Sequence, residues 1–161
     1  MKRRVAALVM LGALLSGGEA PAQAPLPGPS VVQGRRDLQF QTVIAGFPTS
    51  VTWDSNQAGQ WRIRGQRGAE VQLDFINLPA ELQNGIHAMP VSFSATDAAW
   101  RSPGRGGGTP VVFDPTVGTT ARIGNSGQIL VYLGGTVNPP PNQQGGDYVA
   151  DIDLDVYYTG N

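Results

Sequence analysis

The run YVADIDLDVYY, from Tyr148 to Tyr158, alternates for eleven residues without a break, and no other stretch constrains the fold as tightly. Tyr148, Ala150, Ile152, Leu154, Val156 and Tyr158 fall on one face, and Asp151, Asp153 and Asp155 on the other. A strand with one buried side requires this period of two, and a helix cannot satisfy it. At about 3.3 Å per residue the run would span roughly 36 Å, twice the usual strand, so it is expected to cross the whole height of a β domain. Each large apolar side chain it buries contributes about 1.5–3 kcal/mol, a substantial share of one core.

The rest of the chain offers partners of the same kind. Asp37 to Ala45 alternates through Leu38, Phe40, Thr42 and Ile44 and is expected to be the first strand. Thr49 to Asp54 and Gln60 to Arg64 read as a hairpin around the loop Ser55 to Gly59. Glu70 to Asn77 sets Val71, Leu73 and Phe75 on one face. Leu78 to Leu82 reads as one helical turn, and Met89, Val91 and Phe93 then alternate again. Trp100 is expected to cover an edge of the core. Val111 to Phe113, Thr119 to Ile123, and Ile129, Val131 and Leu133 follow as strands, with Gly134-Gly135 as a break or bulge before Val137. The expected fold is all-β, an antiparallel β-sandwich of about eight to ten strands with almost no helix.

The chain opens with a basic Met1-Lys2-Arg3-Arg4, an apolar run from Val5 to Leu15, and then small residues, the layout of a secretory signal peptide over residues 1–22 with cleavage after Ala22. Export to the periplasm, the cell surface or the medium is therefore expected, with no membrane span in the mature chain, because spanning needs about 20 apolar residues. The exported chain would begin with a proline-rich mobile arm, residues 23–36, followed by one domain over residues 37–161. Without the leader it carries eight arginines against eleven acidic residues, a net charge of about −3, which argues against a general nucleic-acid binder. There is no cysteine, so neither disulfides nor a lipid anchor on cysteine can form.

Candidate chemistry is sparse. Nucleophilic and acid–base catalysis need a positioned His, Cys or carboxylate pair in a pocket, and the only histidine, His87, sits in a loop-like GIHAMP. No enzyme activity, cofactor or metal is expected. The row Asp151, Asp153 and Asp155 invites a calcium reading, but on a strand the outer two carboxylates are about 13 Å apart, too far for one ion. A solvated face that discourages edge pairing is the expectation, with Arg62, Arg64 or Arg122 as candidate cross-strand partners. The run Gly104 to Thr109 lacks the Lys and the strand-to-helix frame of a phosphate loop. Trp53, Trp61 and Trp100, with Tyr132 and Tyr157, could line a glycan-binding face, although core packing is the expected place of Trp53 and Trp61.

The closing run LGGTVNPPPNQQGGDYVADIDLDVYY, Leu133 to Tyr158, resembles the end of a group of secreted bacterial domains, domain-of-unknown-function family 4402, through Gly134, Gly135, Thr136, Val137, Gln144, Gly146, Tyr148, Val156 and Tyr158. DLQFQTVIAG from Asp37 and SVTWD from Ser50 resemble that family's opening strands. The group is in turn similar to fimbrial, pilin-like subunits, whose last strand also alternates and sets a Gly twelve residues before a terminal Tyr, as Gly146 stands to Tyr158. The resemblance implies an immunoglobulin-like sandwich and a non-enzymatic, structural or adhesive surface protein that self-associates, or joins other surface subunits, by β-strand pairing. Leu38, Phe40 and Ile44 on a donated strand, and Tyr148, Ile152, Leu154, Val156 and Tyr158 beside the receiving groove, are the candidate assembly residues. The alternative is a monomeric periplasmic or secreted module that binds a glycan or a protein.

Overall fold

The computed structural model describes residues 31–104 and 108–160; the expected signal peptide, the first part of the expected arm and residues 105–107 of the glycine-dense loop lie outside them. Among the described residues there are twelve strands and no helix, in three antiparallel sheets that form a β-sandwich. The strands are β1 (Val31–Arg36), β2 (Thr49–Val51), β3 (Gly59–Arg64), β4 (Glu70–Phe75), β5 (Glu81–Asn84) and β6 (His87–Ser92). They continue as β7 (Ala98–Arg101), β8 (Val111–Phe113), β9 (Thr119–Arg122), β10 (Gln128–Leu133), β11 (Gly135–Val137) and β12 (Leu154–Tyr158). The sheets run β1-β3-β10-β7-β8, β2-β11-β6-β5 and β12-β4-β9.

The main core lies between the five-stranded and three-stranded sheets, built from the alternate positions that the sequence marks as apolar. Ile63, Ile129, Val131 and Leu133 from one sheet meet Val71, Leu73, Phe75 and Val156 from the other. Ile63, Leu73, Ile129 and Leu133 are fully buried. Trp61 meets Phe75 edge-on at 5.3 Å, and Phe75 stacks on Phe113 at 6.4 Å, so three aromatic rings bridge the two layers.

The four-stranded sheet continues the five-stranded one across a sharp crease. Its order β2-β11-β6 repeats β3-β10-β7, and each pair is consecutive along the chain. The tightest crossing is the single residue Gly134 between β10 and β11. Its amide donates to the Asp97 carbonyl at 2.7 Å, and a Cβ there would collide with the Val51 carbonyl oxygen and lie 2.9 Å from the Trp53 nitrogen. The two strands expected to make a hairpin, β2 and β3, thus belong to different sheets, because the turns from Thr52 to Ala58 carry the chain over the crease.

Four further expectations change. Val31–Arg36, read as part of a mobile arm, is β1 and pairs with β3, while Asp37 to Ala45, read as the first strand, is irregular. Within it Gln41 has φ of 54°, a left-handed conformation that breaks the extended alternation. The eleven-residue closing strand is only five residues long, Leu154–Tyr158 on β4, with an isolated bridge between Val149 and Gln83 beyond a gap. Four residues on one side of that gap face seven on the other, and the longer side contains Pro79, which has no amide to donate. The expected helical turn at Leu78 to Leu82 instead leads into β5, closed onto β6 by the two-residue loop Gly85-Ile86, with Gly85 at φ of 60°.

Candidate functional site

A second apolar cluster lies on the four-stranded sheet. Met89 and Val91 of β6 and Val137 of β11 form it, with Leu82 of β5 and Phe93 at its margin. Over this floor lies a cleft of about 1120 Å³, bordered by Leu38 to Val43 on one side and Gln143 to Ile152 on the other. Phe40, Val43 and Tyr148 lower their side chains onto the floor.

Both walls are thinly bonded main chain. Gln39 donates to the Gln57 carbonyl at 2.9 Å and Gly46 to the Pro139 carbonyl at 3.1 Å, but Phe40 to Val43 make no main-chain hydrogen bond among the described residues. On the other wall Val149 and Gln83 exchange bonds of 2.8 and 3.0 Å, and Ala150 to Ile152 likewise make none among the described residues. Extended backbone normally pairs its amides and carbonyls when it leaves water, so each wall is a row of groups free to pair. Side chains fasten the far wall: the Tyr148 hydroxyl donates to the Gln144 carbonyl at 2.7 Å, and Gln143 Nε2 donates to the Ala88 carbonyl at 3.2 Å. Gln143 Oε1 is buried without a donor.

Of the eight residues named from the sequence, the cleft gathers Leu38, Phe40, Tyr148 and Ile152. Leu154, Val156 and Tyr158 lie on β12 against the main core, where the Gln66 amide donates to the Tyr158 hydroxyl at 2.8 Å. Ile44 stands outside, 65% exposed. The floor residues Met89, Val91 and Val137 were legible only as strand core. No sequence signal set them apart, because β6 precedes Gly134 in the chain and only the strand order places β6 and β11 together beyond the crease.

The other candidates scatter. Trp61 and Trp100 pack against the main core, Tyr132 lies on the outer side of β10 and Tyr157 on the outer side of β12, so these four aromatics share no single face. Asp151 and Asp153 are not in a strand; Asn77 Nδ2 donates to Asp153 at 2.7 Å, and Asp155 stands opposite Asp74 rather than an arginine. Arg62 and Arg64 are in the other sheet, and Arg122 is opposite Glu70. His87 is exposed at the start of β6. Among the described residues no three His, Cys, Asp or Glu side chains converge as a metal would need. No protein-family model, curated protein or solved structure matches the chain.

Proposed function

We propose that the protein is a non-enzymatic, exported structural subunit of the cell surface that joins copies of itself by exchanging the segment Asp37 to Ala45. The observation that carries this reading is the cleft: its near wall is a segment patterned as a strand, yet that wall makes almost no main-chain bonds in its own domain. Released and extended, the segment would lose the left-handed backbone at Gln41 and could pair along the equivalent cleft of a neighbour. Phe40 and Val43 would fill the same floor there, so side-chain burial is conserved and main-chain pairing is gained. The resemblance of the closing run to fimbrial subunits, and with it an immunoglobulin-like plan, points the same way.

The test uses the exported chain from Gln23, by light scattering behind size exclusion and negative-stain imaging, with and without a synthetic peptide of residues 37–45. Ladders that shorten when the peptide is added, and that a peptide carrying Leu38→Ser and Phe40→Ser leaves untouched, are the expected result. A monomer at every concentration that ignores the peptide would end the exchange reading.

A monomeric binding module is the second reading. The cleft wall favours it, since Gln143, Gln144 and Asp147 set polar side chains beside the Tyr148 ring, the kind of lining that a sugar can meet. Retention on polysaccharide, lost in Gln143→Leu, is its signature.

A further inference from the structure

Charge is segregated between the two outer faces of the sandwich. The five strands of the β1-β3-β10-β7-β8 sheet contain Arg35, Arg36, Arg62, Arg64 and Arg101 and not one Asp or Glu. Their inward positions are Ile63, Val131 and their neighbours, so the cross-strand rows Gln33–Arg62–Leu130–Arg101 and Arg64–Gln128 point outward. Within these rows the Nε of Arg62 is itself buried and has no acceptor among the described residues, so Arg62 can offer a partner only the end of its guanidinium, and Arg101 spends its Nε on the neutral Tyr132 hydroxyl at 2.9 Å.

The three-stranded sheet shows the reverse. Val71, Leu73, Phe75 and Val156 point inward, which leaves Glu70, Asp74 and Asp155 on the outer face. Asp74 and Asp155 are direct cross-strand neighbours, an arrangement of like charges that costs stability. The single arginine of this sheet, Arg122, is at its other end, opposite Glu70, and its Nε donates to the Gly68 carbonyl at 3.0 Å. Because the two sheets pack through their inner faces, the basic and acidic surfaces lie on opposite sides of one molecule.

We propose that the basic outer face of the five-stranded sheet docks on the acidic outer face of the three-stranded sheet of a second copy, stacking molecules front to back. The two patches are different, so the contact is heterologous and can repeat from copy to copy. Arginine is suited to it, since its planar fork reaches a carboxylate through two donors. Exposed pairs are individually weak and screened by salt, so the contact would act chiefly where copies are already concentrated. Of the arginines on these strands only Arg36 borders the cleft, and it already donates to the Ala58 and Ser55 carbonyls; the contact uses the others and none of residues 37–45, so the stack can form whether or not strands exchange.

The experiment is sedimentation velocity of the exported chain, with the 37–45 peptide present to suppress exchange, over a range of salt. Association should weaken on the order of tenfold as the Debye length shortens from about 30 Å at 0.01 M to about 8 Å at 0.15 M. Arg62→Glu with Arg64→Glu makes both faces acidic, and Asp155→Lys relieves one like-charge pair while making the other face less acidic; each should be monomeric alone, and an equimolar mixture should associate. If the reversed arginines prevent folding, Arg62→Gln with Arg64→Gln should fold and flatten the salt dependence. Association indifferent to salt and to these changes would overturn the proposal. So would a monomer throughout, including one that dextran sulfate captures through Arg62 and Arg64, which would make the face a polyanion site.

Discussion

Tyr157 sets a phenol beside two carboxylates on the outer face of β12. Its hydroxyl donates to Asp74 at 3.2 Å, and Gln72 Nε2 donates to the other oxygen of the same carboxylate at 2.7 Å. The phenol is raised above its usual value of 10.0, first by desolvation, then by the charge of Asp74 and the hydrogen bond to it, and last by Asp155. A proton held more tightly in the folded state stabilises that state below the unfolded value, and the contribution is lost as pH rises through the folded one. Titration by ultraviolet difference absorbance should therefore show Tyr157 ionising later than a free tyrosine, and Asp74→Asn should bring it back towards the ordinary value. An unmoved titration in Asp74→Asn would mean that the carboxylate does not act on the phenol. Nothing in the sequence pointed to this pair, because Asp74 and Tyr157 are far apart in the chain and only the β4–β12 register brings them together.

The closing segment shows what alternation can and cannot report about an element. Its apolar face is where the pattern puts it: Leu154, Val156 and Tyr158 pack on the main core, and Ile152 packs at its margin. Its length as a strand is not legible, because a strand extends only as far as its partner, and β4 ends at Phe75 ahead of Pro79. The same logic covers the start of the chain. Asp37 to Ala45 has a strand's pattern and no strand partner among the described residues, whereas VVQGRR has little pattern and pairs with β3 at every position but Arg35, as an edge strand held by main-chain bonds can. Hydrogen exchange should separate the two parts of the closing segment. Amides of Ala150 to Ile152 are expected to exchange roughly a thousandfold faster than those of Val156 to Tyr158, the difference between local fluctuation and opening of a core strand. Equal protection across residues 150–158 would mean that the long strand forms in solution after all.

At the scale of the molecule, the all-β class and most core positions were readable, since Val71, Leu73 and Phe75, or Ile129, Val131 and Leu133, alternate as a half-buried sheet must. The crease was not, because a single glycine reads equally as a bulge, a break or a corner; only the repeated strand order reveals which. The cleft followed it into obscurity, being made by the sheet beyond the corner. Gly134→Ala tests how much depends on that corner. With backbone atoms of Val51 and Trp53 in the way, it should cost about 1–3 kcal/mol and lower the melting temperature by several degrees in a single transition. Separate melting of the two halves would show that they are independent units.

For a molecule expected to serve outside the cell, the corner also has a mechanical meaning. Three successive runs of covalent backbone, β2 to β3, β6 to β7 and β10 to β11, cross it side by side. A tug delivered to a strand lodged over the four-stranded sheet would be passed to the main core through three covalent tethers in parallel, with no rupture of a hydrogen-bonded ladder required at the corner itself. The weak point under load would then be the grip of the cleft on its strand, so that a chain of such units would part at its joints before any unit unravelled.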